Sequence, residues 1–149
     1  MTRINSAIQV KLLTDEHLLA EHREIKRLPA YFVKALTSGA LHRVPNTFCL
    51  GTGHVTFFLN KQKFIFDRYI QLYNECILRG FDVTDYSSNW LELKHTMEDN
   101  KCWNDYTATQ LEKKLLIERI SERIEQSSKT YFHYKKDALT KQKAILLLI

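Results

Sequence analysis

Thr14-Asp15-Glu16-His17-Leu18-Leu19-Ala20-Glu21-His22-Arg23-Glu24-Ile25-Lys26-Arg27 reads as the opening of an amphipathic helix. Thr14 suits the N-cap, and Asp15 and Glu16 fall in the first turn, where the positive end of the helix dipole favours acids. At about 100° per residue, Leu18, Ile25, Leu28, Phe32 and Leu36 gather on one side as a core-facing stripe. Arg23 and Arg27 lie about half a turn away, spaced i, i+4. Glu24 falls on the arc between stripe and cations, with His17 and Glu21 close by. A carboxylate half sheltered by apolar neighbours is suited to proton transfer; pairing with the arginines on a solvated face is the commoner fate of such a residue. The periodicity predicts a helix over about 15–37, kinked at Pro29 and ended by Gly39.

Upstream lies Met1-Thr2-Arg3-Ile4-Asn5 and an arm to Leu13 of mixed character. A small residue at position 2 permits removal of Met1, which makes Thr2 the N-terminus. An α-amino group titrates near ~7.7–8.0, against ~10.4 for lysine, so it is a ready nucleophile without burial.

Downstream, four glycines and two prolines in 149 residues imply few turns and long elements. The fold class expected is all-α: a single compact domain, residues 1–149, of three main helices with the N-terminal arm inserted between them. The section 40–59 reads as a connector that packs the aromatics of His54-Val55-Thr56-Phe57-Phe58 into the core. His54 reads as a core histidine bonded to backbone in preference to a catalytic one. A second helix spans about 60–79, with Gly80 as its C-cap. The acidic section 81–106 is irregular or carries short helices. A third long helix opens at Thr109, where Glu112 completes a capping-box pattern, and runs to about 126. The cluster Thr130-Tyr131-Phe132-His133-Tyr134-Lys135-Lys136 follows. The tail 138–149 ends in an apolar run that can pack on the core, bind a partner or fray as a flexible end.

The net charge is +5 and the pI about 9.1, which suits an anionic partner. Residues 1–80 carry eleven Lys/Arg against six Asp/Glu, and residues 111–149 nine against five, whereas 81–110 carry two against six. This predicts one basic face with an acidic side turned away. Three cysteines without close-pair spacing indicate neither a disulfide framework nor a zinc knuckle. His17 and His22, i and i+5, lie ~140° apart on a helix and cannot share a metal on one face. No signal peptide or membrane span is visible, and a reduced, intracellular protein is expected.

The opening Met1–Asn5, the run His17–Arg27, Gly51-Thr52-Gly53-His54-Val55-Thr56-Phe57-Phe58 and Glu75-Cys76-Ile77-Leu78-Arg79-Gly80-Phe81 keep an order and spacing that resembles the pyrimidine-dimer DNA glycosylase family, the phage endonuclease V type. The resemblance implies excision at cyclobutane pyrimidine dimers in duplex DNA. The Thr2 amine would attack C1′ of the 5′ nucleotide, Glu24 would stabilise the cationic sugar, and β-elimination would nick the strand. No metal or other cofactor is implied. Arg3, Arg23 and Arg27 would grip phosphates, His17 would border the site, and Tyr131, Lys135 and Lys136 stand for the family's C-terminal aromatic and basic block. The adenine opposite the lesion would be turned out into a protein pocket. The partner implied is double-stranded DNA with dimers or abasic sites, met by a monomer at the nucleoid or in the cytoplasm, a phage-type protein acting in its infected host. Glu16 stands where glutamine is expected, and Glu21-His22 where Glu-Tyr is expected. The C-terminal block is divergent, and 82–128 adds little. A scaffold that binds DNA without catalysis, or a glycosylase with a shifted lesion preference, fits the same residues.

Overall fold

The structure, a computed structural model, describes residues 4–149. The first predicted helix is two helices, α1 (Asp15–Ile25) and α2 (Leu28–Ser38). The difference has a local cause. Pro29 has no N–H for the Ile25 carbonyl and its ring crowds that carbonyl, so the chain breaks at Lys26-Arg27 instead of kinking. The Arg27 N–H closes a tight turn on the Glu24 carbonyl at 3.1 Å, and Pro29 sits in the first turn of α2, where a missing N–H is tolerated. Thr14 caps α1 by accepting from the His17 N–H. Gly39, at φ +76°, ends α2 in the left-handed region.

The other long helices are α3 (Gln62–Leu78) and α6 (Gln110–Gln126), with short helices α4 (Ser88–Leu91) and α5 (Lys94–Asp99) between them in the acidic section. Thr109 caps α6 by accepting the Glu112 N–H at 3.1 Å. The Glu112 carboxylate turns to the Tyr106 hydroxyl. In the connector, Phe57 and Phe58 are buried on a short 3₁₀ turn. Trp90 of α4 stacks on Tyr69 of α3 at 4.8 Å and donates to Gln62.

The arm is part of the core: Ile4, Ile8 and Leu13 are fully buried. Two buried arginines of α3 and its end hold it. Arg68 donates to the Ile8 carbonyl and pairs with Glu21 of α1 at 2.5 Å. Arg79 donates to the Leu13 carbonyl and pairs with Asp15 and Glu75. The arm is therefore tied to α1 and α3 together.

The aromatic and basic cluster forms a β-hairpin, which the sequence reading does not contain. β1 (Tyr131–Tyr134) pairs antiparallel with β2 (Asp137–Thr140). Lys135 and Lys136 make the turn at φ +50° and +71°, a conformation that normally calls for Asn-Gly. The missing local preference is replaced from a distance. The Asp15 carboxylate accepts the Lys135 and Lys136 N–H groups at 3.0 and 2.8 Å, and Glu16 accepts the His133 N–H at 2.8 Å. Helix α7 (Lys141–Leu146) follows, and Ala144 and Leu148 are buried. Of the three fates open to the tail, packing is the one observed. No helix among the described residues is long and apolar enough to cross a membrane.

Candidate active site

A cavity of about 110 Å³ opens where the arm, α1 and α6 meet, lined by Asn5, His17, Ala20, Glu21, Glu24, Ile120 and Arg123. Of its two carboxylates Glu24 is the more accessible, with a side chain 18% exposed. Arg27 Nη1 lies 2.7 Å from it and Arg23 Nε 4.0 Å. The helix break explains the shorter contact, because it lets Arg27 turn back over Glu24. Both guanidinium groups remain about half exposed or more. They neutralise the carboxylate and keep donors facing solvent, where a phosphate can be taken bidentately.

His17 lies on the wall. Its Nδ1 is bonded to the Thr14 hydroxyl at 2.8 Å, and its ring stacks on Phe132 of β1 at 5.9 Å. Burial holds it below the ordinary histidine range, while the nearby charges pull both ways, Glu16 and Glu21 upward and Arg123 and Lys129 downward, so the neutral form is favoured at neutral pH. His17 thus borders the cavity as a largely neutral polar side chain.

Glu21, one turn before Glu24, is buried and spoken for. It accepts from Arg68 and, at 2.8 Å, from the Asn5 side chain. Ile4, one residue earlier, is fixed by the connector: its N–H donates to His54 Nε2 at 3.0 Å. His54 is held in turn by the Cys49 carbonyl at 2.9 Å and is 2% exposed, a core histidine bonded to backbone. Gly51 and Gly53, at φ +81° and +89°, shape the turn that presents it. Thr2 and Arg3 lie outside the described residues.

The hairpin residues sit elsewhere. Tyr131 is 54% exposed. Lys135 and Lys136 lie beside Asp15, nine residues before Glu24 and so about 13 Å along the α1 axis. The Lys136 ammonium donates to the Gly80 carbonyl, and Lys135 lies over the Tyr134 ring. Phe132, stacked on His17, links the hairpin to the cavity. Glu16 fastens the hairpin as well, with His133 Nδ1 at 3.0 Å and Lys129 at 3.5 Å. Burial pushes its carboxyl upward, but the His133 bonds and the Lys129 charge outweigh this and hold it below the usual range.

Arg123 was not singled out from the sequence. It lines both the cavity and a larger polar groove of about 540 Å³ with Arg119, Glu122, Gln126 and Ser127. The signal was present: Arg119 and Arg123 repeat the i, i+4 spacing of Arg23 and Arg27 along one border of the apolar stripe of α6. Among the described residues no cluster of three His, Cys, Asp or Glu side chains is arranged to hold a metal ion.

The family model described as pyrimidine dimer DNA glycosylase matches residues 1–89. The match takes in the arm, the connector, α1 to α3 and every cavity residue except Ile120 and Arg123 of α6. The chain belongs to the pyrimidine dimer DNA glycosylase family, whose members act on DNA that carries pyrimidine dimers.

Proposed function

We propose that the protein is a bifunctional glycosylase and abasic-site lyase that uses the Thr2 amine, exposed by removal of Met1, as its nucleophile. The amine attacks C1′ of the 5′ nucleotide of the dimer, and the bond from C1′ to the base breaks. Opening of the sugar ring gives an imine between Thr2 and C1′. The imine acidifies the 2′ proton; its removal expels the 3′ phosphate by β-elimination, and water releases the enzyme. Glu24 stabilises the cationic sugar and carries protons between the two stages.

The observation that carries this reading is that Asn5 and Glu24 line one cavity. Thr2 is three residues from Asn5, within about 10 Å of extended chain. Arg3, Arg23 and Arg27 would hold phosphates around the kinked duplex, and Tyr131, Lys135 and Lys136 would meet the backbone further along. A dimer is poorly stacked and poorly paired, so the distortion such a site needs is cheaper there than in intact duplex. The reading extends to abasic duplex, to action as a monomer and to work at the nucleoid.

The test is borohydride trapping on dimer-containing and abasic duplexes, with intact mass to establish whether Met1 is removed. A covalent adduct is expected with the native protein and none after the terminus is acetylated. Glu24→Gln should lower the nicking rate about 10²-fold or more. Nicking by Glu24→Gln at the native rate would remove Glu24 from the chemistry.

A further inference from the structure

A nucleophile at a chain end has a particular difficulty: nothing covalent restrains it on one side. Each backbone residue left free retains about 1–2 kcal/mol of conformational entropy, and a reacting atom displaced by ~1 Å can lose about 10²-fold in rate. The arm must therefore be pinned close to its first residue. The Ile4 amide is held by the His54 side chain. Its N–H donates to His54 Nε2 at 3.0 Å, and this nitrogen must carry a lone pair to accept. The ring proton of a neutral imidazole then resides on Nδ1 and is donated to the Cys49 carbonyl at 2.9 Å. The edges of Phe48 and Phe58, with centroids at 5.5 and 5.6 Å, stop the ring from rotating.

We infer that His54 is the positioning residue for the nucleophile: as the Nδ1–H tautomer it holds the Ile4 amide and so sets where the amine, two residues upstream, meets the sugar. It touches neither substrate nor the reacting atoms. This inference rests on the imine reading above. It gives a chemical role to the turn from Cys49 to His54. Gly53 adopts φ +89° there, and a Cβ at that position would stand 3.4 Å from Cys49 Sγ. The turn thus holds the acceptor for the arm at a fixed height above Cys49.

Two variants separate positioning from structure. Asparagine carries its amide where imidazole carries Nδ1, and glutamine where it carries Nε2. His54→Asn keeps the bond to Cys49 and abandons Ile4; His54→Gln keeps an acceptor for Ile4 and abandons Cys49. The experiment is single-turnover borohydride trapping at saturating enzyme on abasic duplex, beside duplex affinity and thermal melting. For His54→Asn, duplex affinity within about twofold of native and trapping at least ~10-fold slower are expected. For His54→Gln, trapping within about threefold of native is expected, even where its melting temperature is the lower of the two. Native trapping by His54→Asn, or equal slowing in both variants, overturns the inference. No trapping by the native protein overturns the imine reading itself and this inference with it. Should a variant not fold, the ¹⁵N imidazole spectrum of the native protein decides: an unprotonated Nε2 with Nδ1–H supports the inference, and the opposite tautomer ends it.

Discussion

Replacing Arg68 by methionine tests the core of the fold most sharply. The Arg68 side chain is 5% exposed and that of Glu21 1%. The guanidinium donates to both Glu21 oxygens and to the Ile8 carbonyl, and Asn5 donates to the same carboxylate. Methionine matches the stem in length and removes the charge. What remains is a buried carboxylate with one neutral donor and a backbone carbonyl with none. Breaking such a pair from one side destabilises by about 3–5 kcal/mol, and for a chain of this size each kcal/mol shifts Tm by about 2–4 °C. A fall of roughly 10 °C is expected. Adding Glu21→Gln removes the stranded charge and leaves an amide oxygen to accept from Asn5. The double variant should therefore recover stability, with a coupling of at least about 1 kcal/mol. Urea denaturation of the native protein, both single variants and the double variant provides the cycle. A loss below about 1 kcal/mol for Arg68→Met, or simple additivity, would refute the claim that this pair fastens the arm.

Other consequences follow from the same geometry. Asp15→Ala removes the acceptor for both turn amides and a partner of Arg79; amide exchange across 131–140 should speed up while α3 stays protected, and uniform protection would contradict the clasp. Lys135→Asn with Lys136→Gly supplies the residues a type I′ turn prefers, so stability should hold or rise. If these lysines meet phosphates, the slope of log affinity against log salt should fall by about 2; an unchanged slope takes them off the DNA. His17 and His22 are both held below the ordinary histidine range, first by burial. Below about pH 6.5 the unfolded chain therefore binds protons that the folded one resists, so their stabilisation is complete above that pH and is lost as pH falls. Denaturation midpoints at pH 7.5 and 5.5 should differ, and the difference should shrink in His22→Gln.

What was legible was what is local. The caps at Thr14 and Thr109, the stops at Gly39 and Gly80 and the stripe through Leu18 and Ile25 depend on neighbours within a turn and stand as read, except that the Glu112 carboxylate of the expected capping box turns to Tyr106. The break between α1 and α2 differs from the expected kink only in how far Pro29 disrupts the chain. The hairpin was invisible because its cause lies 120 residues away: Lys135-Lys136 carries no turn signal until Asp15 and Glu16 supply acceptors. Glu16, standing where the resemblance leads one to expect glutamine, had no visible role for the same reason. Charge counting also misled in part, since Arg68 and Arg79 were added to a basic face and are instead buried in ion pairs. Glu24 was marked by its place on the helical arc. Arg123 was passed over because α6 was read for its apolar face alone.

The most direct measurement is to digest the borohydride-trapped complex with abasic duplex and locate the adduct by mass spectrometry. The account predicts one modified peptide, beginning at Thr2 and carrying the sugar on its α-nitrogen. An adduct on a lysine side chain, or on a peptide that still begins with Met1, would contradict it.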